Sequence, residues 1–149
     1  MFSKILVPTD GSPVAQKAAK YAVKFAKETG ASILLLSVID KRFMVSQSMP
    51  AVASPTHLID TVEGYLMQAA EAYTKEIKTF CRKNKVQVKT FIKTGHPVEE
   101  IIKEAKRSKA DLIVMGSQGK SALKAVVLGS VTMGVMHKDT KIPVLLVRR

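Results

Sequence analysis

Leu112-Ile113-Val114-Met115 runs directly into Gly116-Ser117-Gln118-Gly119-Lys120-Ser121, and after nine residues that follow Gly119 the chain reads Gly129-Ser130-Val131-Thr132. A continuous apolar run of this length has the pattern of a strand buried on both faces. A strand ending in a glycine loop, followed by Gly-Ser-Val-Thr at the head of a helix, outlines a phosphate cradle. Glycine lets backbone N–H groups approach an anion with no Cβ in the way. Ser130 and Thr132 bring hydroxyls, and the open N–H groups and dipole of the next helix favour negative charge.

Outward from this stretch, apolar strands alternate with amphipathic helices. Ile5-Leu6-Val7 forms a short first strand within residues 3–9. Asp10-Gly11-Ser12-Pro13 breaks it, with Ser12 as the cap and Pro13 as the first residue of a helix reaching about Thr29. Ala15, Ala18, Ala19, Ala22, Val23 and Ala26 give that helix a face of small residues. Lys17, Lys20, Lys24 and Lys27 form the opposite, solvated stripe, and Gly30 ends it. Ile33 to Val38 is the second strand. Residues 39–57 lack periodicity and read as a long loop.

Leu58, Val62, Leu66, Ala69, Tyr73, Ile77 and Phe80 then recur at helical spacing over about Leu58 to Lys83. Val86 to Ile92 alternates like an edge strand. His96 reads as a cap before Pro97, and Val98, Ile101, Ile102 and Ala105 face the core of the helix that follows. The fourth strand spans Asp111 to Met115, a short helix Ser130 to His137, and the last strand Ile142 to Arg148. Five strands alternating with four helices imply a single α/β domain over residues 1–149, a three-layer doubly wound parallel sheet with ligands at the strands' carboxyl ends.

Composition narrows the function. Lys and Arg number 24 against 12 acidic residues, a net charge of +12. That balance admits nucleic acid or an anionic membrane as partner. The lysines, however, are spread over every segment, and five Phe with three Tyr leave few rings to stack on bases. A solvated lysine-rich surface is the favoured reading, with nucleic acid second. No apolar run is long enough for a membrane span. The N-terminus runs straight into a strand with no signal peptide, so a cytoplasmic location is expected. Cys81 stands alone, and His57, His96 and His137 lack ligand spacing, so no metal site is expected. No nucleophile motif or positioned base points to catalysis. Walker A fails because Val114 stands where its first glycine is needed. The dinucleotide fingerprint fails at Asp10-Gly11-Ser12.

Gly-x-x-Gly, nine residues and then Gly-Ser is similar to the nucleotide loop of the universal stress protein family, in its ATP-binding branch. Val7-Pro8-Thr9-Asp10-Gly11-Ser12 resembles that family's first strand and turn, and Ile142-Pro143-Val144-Leu145-Leu146-Val147 its last strand. The resemblance therefore covers the whole chain. It implies the adenine nucleotide alpha hydrolase-like fold with strand order 3-2-1-4-5. It implies ATP as the ligand, with Mg left open. Asp10 and the backbone of Val38 would meet the adenine, Pro8 and Thr9 would line the cleft, and Met115 and Gly116 would border the ribose. Gly119, Gly129, Ser130, Val131 and Thr132 would hold the phosphates. Gln118 stands where such proteins often carry Arg or His, leaving any cationic help to Lys120 or Lys124. The expected function is a nucleotide-dependent signalling or sensing module in the stress response. A slow ATP hydrolase or phosphotransferase is the alternative, and a basic nucleic-acid-associated protein the second alternative. A homodimer paired through Ile142 to Val147 is expected, because an apolar edge strand needs covering.

Overall fold

The computed structural model describes residues 2–42, 55–118, 128–138 and 140–149, with side chains in the long second helix from Val62 onward. The chain alternates β1 (Lys4–Pro8), α1 (Pro13–Thr29), β2 (Ser32–Asp40), α2 (Pro55–Lys83), β3 (Val88–Gly95), α3 (Pro97–Arg107), β4 (Leu112–Gly116), α4 (Ser130–His137) and β5 (Val144–Val147). The strands form one parallel sheet in the order β3-β2-β1-β4-β5. β1 therefore lies between β2 and β4, with Ile5 opposite both Ile33 and Leu112.

Alternation along the strands sorts the core into two layers. Ile5, Val7, Ile33, Leu35, Leu112 and Val114 face the alanine stripe of α1 and Ile77 and Cys81 of α2. Leu6, Leu34, Leu36, Ile113 and Met115 face Ile101, Ile102 and Ala105 of α3 and Val135 of α4. Each fully buried Leu or Ile contributes about 1.5–3 kcal/mol relative to exposure. The small face of α1 brings its backbone close to the sheet. Cys81 is a fully buried hydrophobe, and burial pushes its thiol up to about 11.

The helix signals act locally. Ser12 caps α1 by accepting the Ala15 N–H at 3.3 Å, and Gly30 closes it with φ of 78°. His96 occupies the cap position of α3, but its side chain makes no capping hydrogen bond. Several boundaries differ from the expectation. β2 continues to Asp40 and α2 already begins at Pro55, so the expected 39–57 loop is shorter at both ends, and its residues 43–54 lie outside the described residues. β3 starts at Val88, because the Val86 N–H is spent on the Cys81 carbonyl, closing α2. β5 starts at Val144, since Pro143 has no N–H for a ladder, although its carbonyl accepts the Ile113 N–H at 3.0 Å. No described helix is long and apolar enough to cross a membrane.

Candidate functional site

The sheet's winding reverses between β1 and β4, and both strands end there in turns that hydrogen bonds hold shut. Pro8 is the last residue of β1, and the Thr9 N–H donates to the Leu36 carbonyl at 2.9 Å. Thr9 is buried; its Oγ1 accepts the Gly11 N–H at 3.1 Å and donates to Gln16 Oε1 at 2.6 Å. Asp10 Oδ1 accepts the Ser12 N–H at 2.9 Å. Gly11 has φ of 81°, and a Cβ there would lie 2.4 Å from Cδ2 of Tyr73. The turn needs glycine for both reasons. The Tyr73 hydroxyl pairs with the buried Ser37 of β2. Burial pushes the Tyr73 phenol above its ordinary value, and the Asp10 charge acts in the same direction against the Ser37 bond, so it stays neutral.

Gln16 ties this turn to α2. Its Nε2 donates to the Tyr73 carbonyl at 3.0 Å and to Glu76 Oε2 at 3.2 Å, and Glu76 pairs with Lys20 at 2.9 Å. Lys20, then Gln16, hold the Glu76 carboxyl below its usual range. A polar relay thus runs from the base of β1 to the outer surface between α1 and α2. The sequence reading places Tyr73 in an apolar stripe and does not single out Gln16 or Ser37. Their roles depend on contacts from 36 to 60 positions away, for which the local pattern holds no signal.

On the β4 side the strand runs into a second closed turn. The Ser117 N–H donates to the Val147 carbonyl at 2.9 Å, and the Ser117 carbonyl accepts the Gly129 N–H at 2.8 Å. Thr132 Oγ1 donates to the Gly116 carbonyl at 2.9 Å. These bonds seat the head of α4 on the end of β4. The buried Thr132 therefore has its proton engaged on the backbone, whereas Ser130 is exposed. Gly129 is the residue before α4, extended at φ of −65° and ψ of 156°. Gly116 has a packing reason of its own, because a Cβ there would meet Val14 Cγ1 of α1 at 2.7 Å.

Continuing the register of β1 on β4 sets Thr9 level with Gly116. Thr9, Asp10, Gly116, Gly129, Ser130, Val131 and Thr132 thus gather where the sheet reverses. Val38 lies in β2 toward the same end. Met115 buries its side chain in the α3–α4 layer, as Val38 and Val131 do in part. Gly119, Lys120 and Lys124 lie outside the described residues. The first N–H groups of α4 have no intrahelical acceptor, so they can receive an anion. Among the described residues no cluster of three or more His, Cys, Asp or Glu side chains could hold a metal ion.

Comparison with known proteins adds to this geometry. The family pattern described as the universal stress protein family matches residues 1–148. Universal stress protein MJ0531 of Methanocaldococcus jannaschii is 36% identical over 149 residues, spanning 100% of this chain and 84% of that protein. The solved structure of MJ0577 from the same organism superposes with a TM-score of 0.85 at 36% identity, covering 100% of this chain and 97% of that one. Two more distant structures share the fold: a universal stress protein in complex with cAMP (TM-score 0.70, 22% identity) and one from Archaeoglobus fulgidus in complex with dAMP (TM-score 0.67, 15% identity).

Proposed function

The chain belongs to the universal stress protein family, and on that premise we propose that it binds ATP and acts as a nucleotide-dependent signalling module in the stress response. The observation that carries this reading is the pairing of two turns at the switch point. One, at Thr9 and Asp10, offers a carboxylate suited to an adenine amine or a ribose hydroxyl. The other presents the head of α4 behind Gly129, suited to phosphate. The cAMP and dAMP held by the two distant proteins are adenine nucleotides as well. Gly119, Ser130 and Val131 would complete the phosphate contacts, and Pro8, Val38, Met115 and Gly116 would line the nucleoside side. Bound nucleotide would shift the population of states that partners read.

Calorimetric titration with ATP, ADP and AMP tests the assignment, together with mass spectrometry of nucleotide released from the purified protein. Gly129→Val should weaken ATP binding by at least ~1.4 kcal/mol, about tenfold. Unchanged affinity in a folded variant would overturn the phosphate role. Turnover of labelled ATP that vanishes in the same variant would instead favour a slow hydrolase.

The same reading includes a homodimer through β5. This strand is the sheet's edge, and Leu145 is 36% exposed on it. Pairing with a second copy across a twofold axis would satisfy the open backbone groups of Val144 to Val147. Sedimentation should show a dimer at tens of micromolar, a rough working range for a stable pair, and Leu145→Glu should shift it to monomer. A wild-type monomer at that concentration refutes the pairing.

A further inference from the structure

Six basic residues from separate segments come together at the end of the sheet opposite the cleft. A groove at the amino ends of β1, β2 and β3 is lined by Lys4, Lys78, Arg82, Lys89, Arg107 and Lys109, and among the described residues by no carboxylate. The acidic groups on the adjoining segments are already engaged. Asp111 accepts from the Ser3 N–H at 2.9 Å, the Ser3 hydroxyl at 3.0 Å and the Lys4 N–H at 3.3 Å. Glu104 is fully buried and takes two bonds from Arg107, each of 2.7 Å, one from the Ser108 hydroxyl at 3.2 Å, and Lys93 at 3.7 Å.

That buried carboxylate fixes Arg107 in one orientation. Its guanidinium lies 5.6 Å from the Phe91 ring centre, and its side chain is 56% exposed. Nε and one Nη2 hydrogen are spent on Glu104, which leaves the other donors of the fork on the side away from it. A guanidinium held on an aromatic face with donors to spare suits a phosphate oxygen. Lys4, Lys78, Arg82, Lys89 and Lys109 surround it on four other segments of the chain, and among the described residues no carboxylate lines the groove between them.

The lining also indicates what kind of anion fits. Of its apolar members Ile33, Leu34 and Val86 are buried and Val88 and Phe91 half-buried, which leaves little apolar surface for the side chains of a docking peptide. The Phe91 face is taken by Lys89, Lys93 and Arg107, within 5.6–6.0 Å, so no ring is open for a base to stack on. What faces outward is charge. We propose that this groove binds the phosphate backbone of nucleic acid, without sequence preference, at the end of the sheet opposite the nucleotide cleft.

Fluorescence anisotropy with a labelled mixed-sequence RNA, about 20 nucleotides long so that it spans the groove, tests this on the full chain over a range of salt. The decisive pair is Lys78→Glu with Arg82→Glu in the groove, against Lys24→Glu with Lys27→Glu on the exposed face of α1. Both pairs change the formal charge equally. The groove pair should weaken binding roughly tenfold or more and make the log–log salt slope shallower by about 1.4, near 0.7 for each phosphate no longer neutralised. The α1 pair should cost less than about threefold and leave the slope unaltered. If the groove pair lowers the melting temperature, Lys89→Glu alone should still weaken binding and flatten the slope. Saturating ATP should leave RNA affinity unchanged. Three results overturn the proposal: equal losses from both pairs, RNA binding abolished by ATP, or polyglutamate competing as well as RNA charge for charge, which would make the groove a site for an acidic protein.

Discussion

At the carboxyl ends of β1 and β4 the described polar side chains are hydroxyls, amides and the Asp10 carboxylate, whereas the amino ends of β1 to β3 carry six cations in one groove. The difference follows from winding a parallel sheet. Every helix begins above the carboxyl ends of the strands and finishes above their amino ends, so partial positive charge collects at one end and partial negative charge at the other. Anion binding at the carboxyl end needs only backbone N–H groups, with glycine and hydroxyls shaping the turns. At the amino end, basic residues in the last turns, Arg82 and Lys83 of α2 and Lys106 and Arg107 of α3, answer the helix dipoles. Each such placement contributes about 0.3–1 kcal/mol. That accounts for Arg82 and Arg107, but not for Lys4 and Lys89, which lie on strands. The cations beyond the dipoles' demand are what make the groove a binding surface.

The change expected to separate the two ends most widely is Gly11→Ala. The left-handed backbone costs about 1–2 kcal/mol for a residue with a Cβ. Pushing the Tyr73 ring aside adds about 1–3 kcal/mol. A total near ~3 kcal/mol should lower the urea midpoint with little change in slope. Gln87→Ala, exposed at the amino end, should leave the midpoint within about 0.5 kcal/mol of the wild type. If Gly11→Ala were as mild, the β1–α1 turn would not be the rigid element its hydrogen bonds imply.

That contrast also marks what the sequence discloses. Ser12, Pro13 and Gly30 set α1 to the residue, and Gly129-Ser130 sets the start of α4, because capping is chemistry between near neighbours. The strand order came with the family resemblance, and the paired registers bear it out. The expected starts of β3 and β5 each fall two residues before the observed ones, since Val86 answers to Cys81 and Pro143 lacks an N–H. Other features depend on residues far apart in sequence. Gly116 reads as a ribose neighbour, and nothing in its local sequence announces that a Cβ there would also meet Val14 of α1. Glu104, which the sequence reading does not single out, is fully buried. The cationic groove draws on β1, α2, β3 and the end of α3, and nothing in the spacing of its lysines announces it.

Asp10→Ala probes the carboxyl end more finely. If the carboxylate accepts a hydrogen bond from adenine or ribose, the loss of ATP affinity should be about 2 kcal/mol, within the range for a bond to a charged group. Free triphosphate competing at the same site should be affected little. Asp10 also accepts the Ser12 N–H, so the rival account is that it shapes the turn. Equal losses for the two ligands would favour that account and show that the carboxylate does not read the nucleoside.

The smallest expected effect lies at the amino end, in Glu104→Gln. Hydrogen bonds from Arg107, followed by the charges of Lys93 and Arg107, hold the Glu104 carboxyl below its ordinary value of 4.5 against the opposing effect of burial. A carboxyl depressed in the folded state stabilises the protein above its unfolded value. That contribution fades as pH falls through the lower folded value. Glutamine keeps the shape and removes the charge. It should cost about 1.5 kcal/mol at pH 7, the low end for bonds between charged groups, because both basic partners reach water and are not left buried. As pH falls from 4.5 through that lower folded value the wild type loses the same interaction by protonation, so the urea midpoints of the two proteins should converge only once the pH lies below it. A gap that stayed constant with pH would show that glutamine perturbs packing and that the charge is not what holds Arg107. A gap that closes, together with weaker RNA binding by the variant at pH 7, would tie the buried carboxylate to the groove it organises.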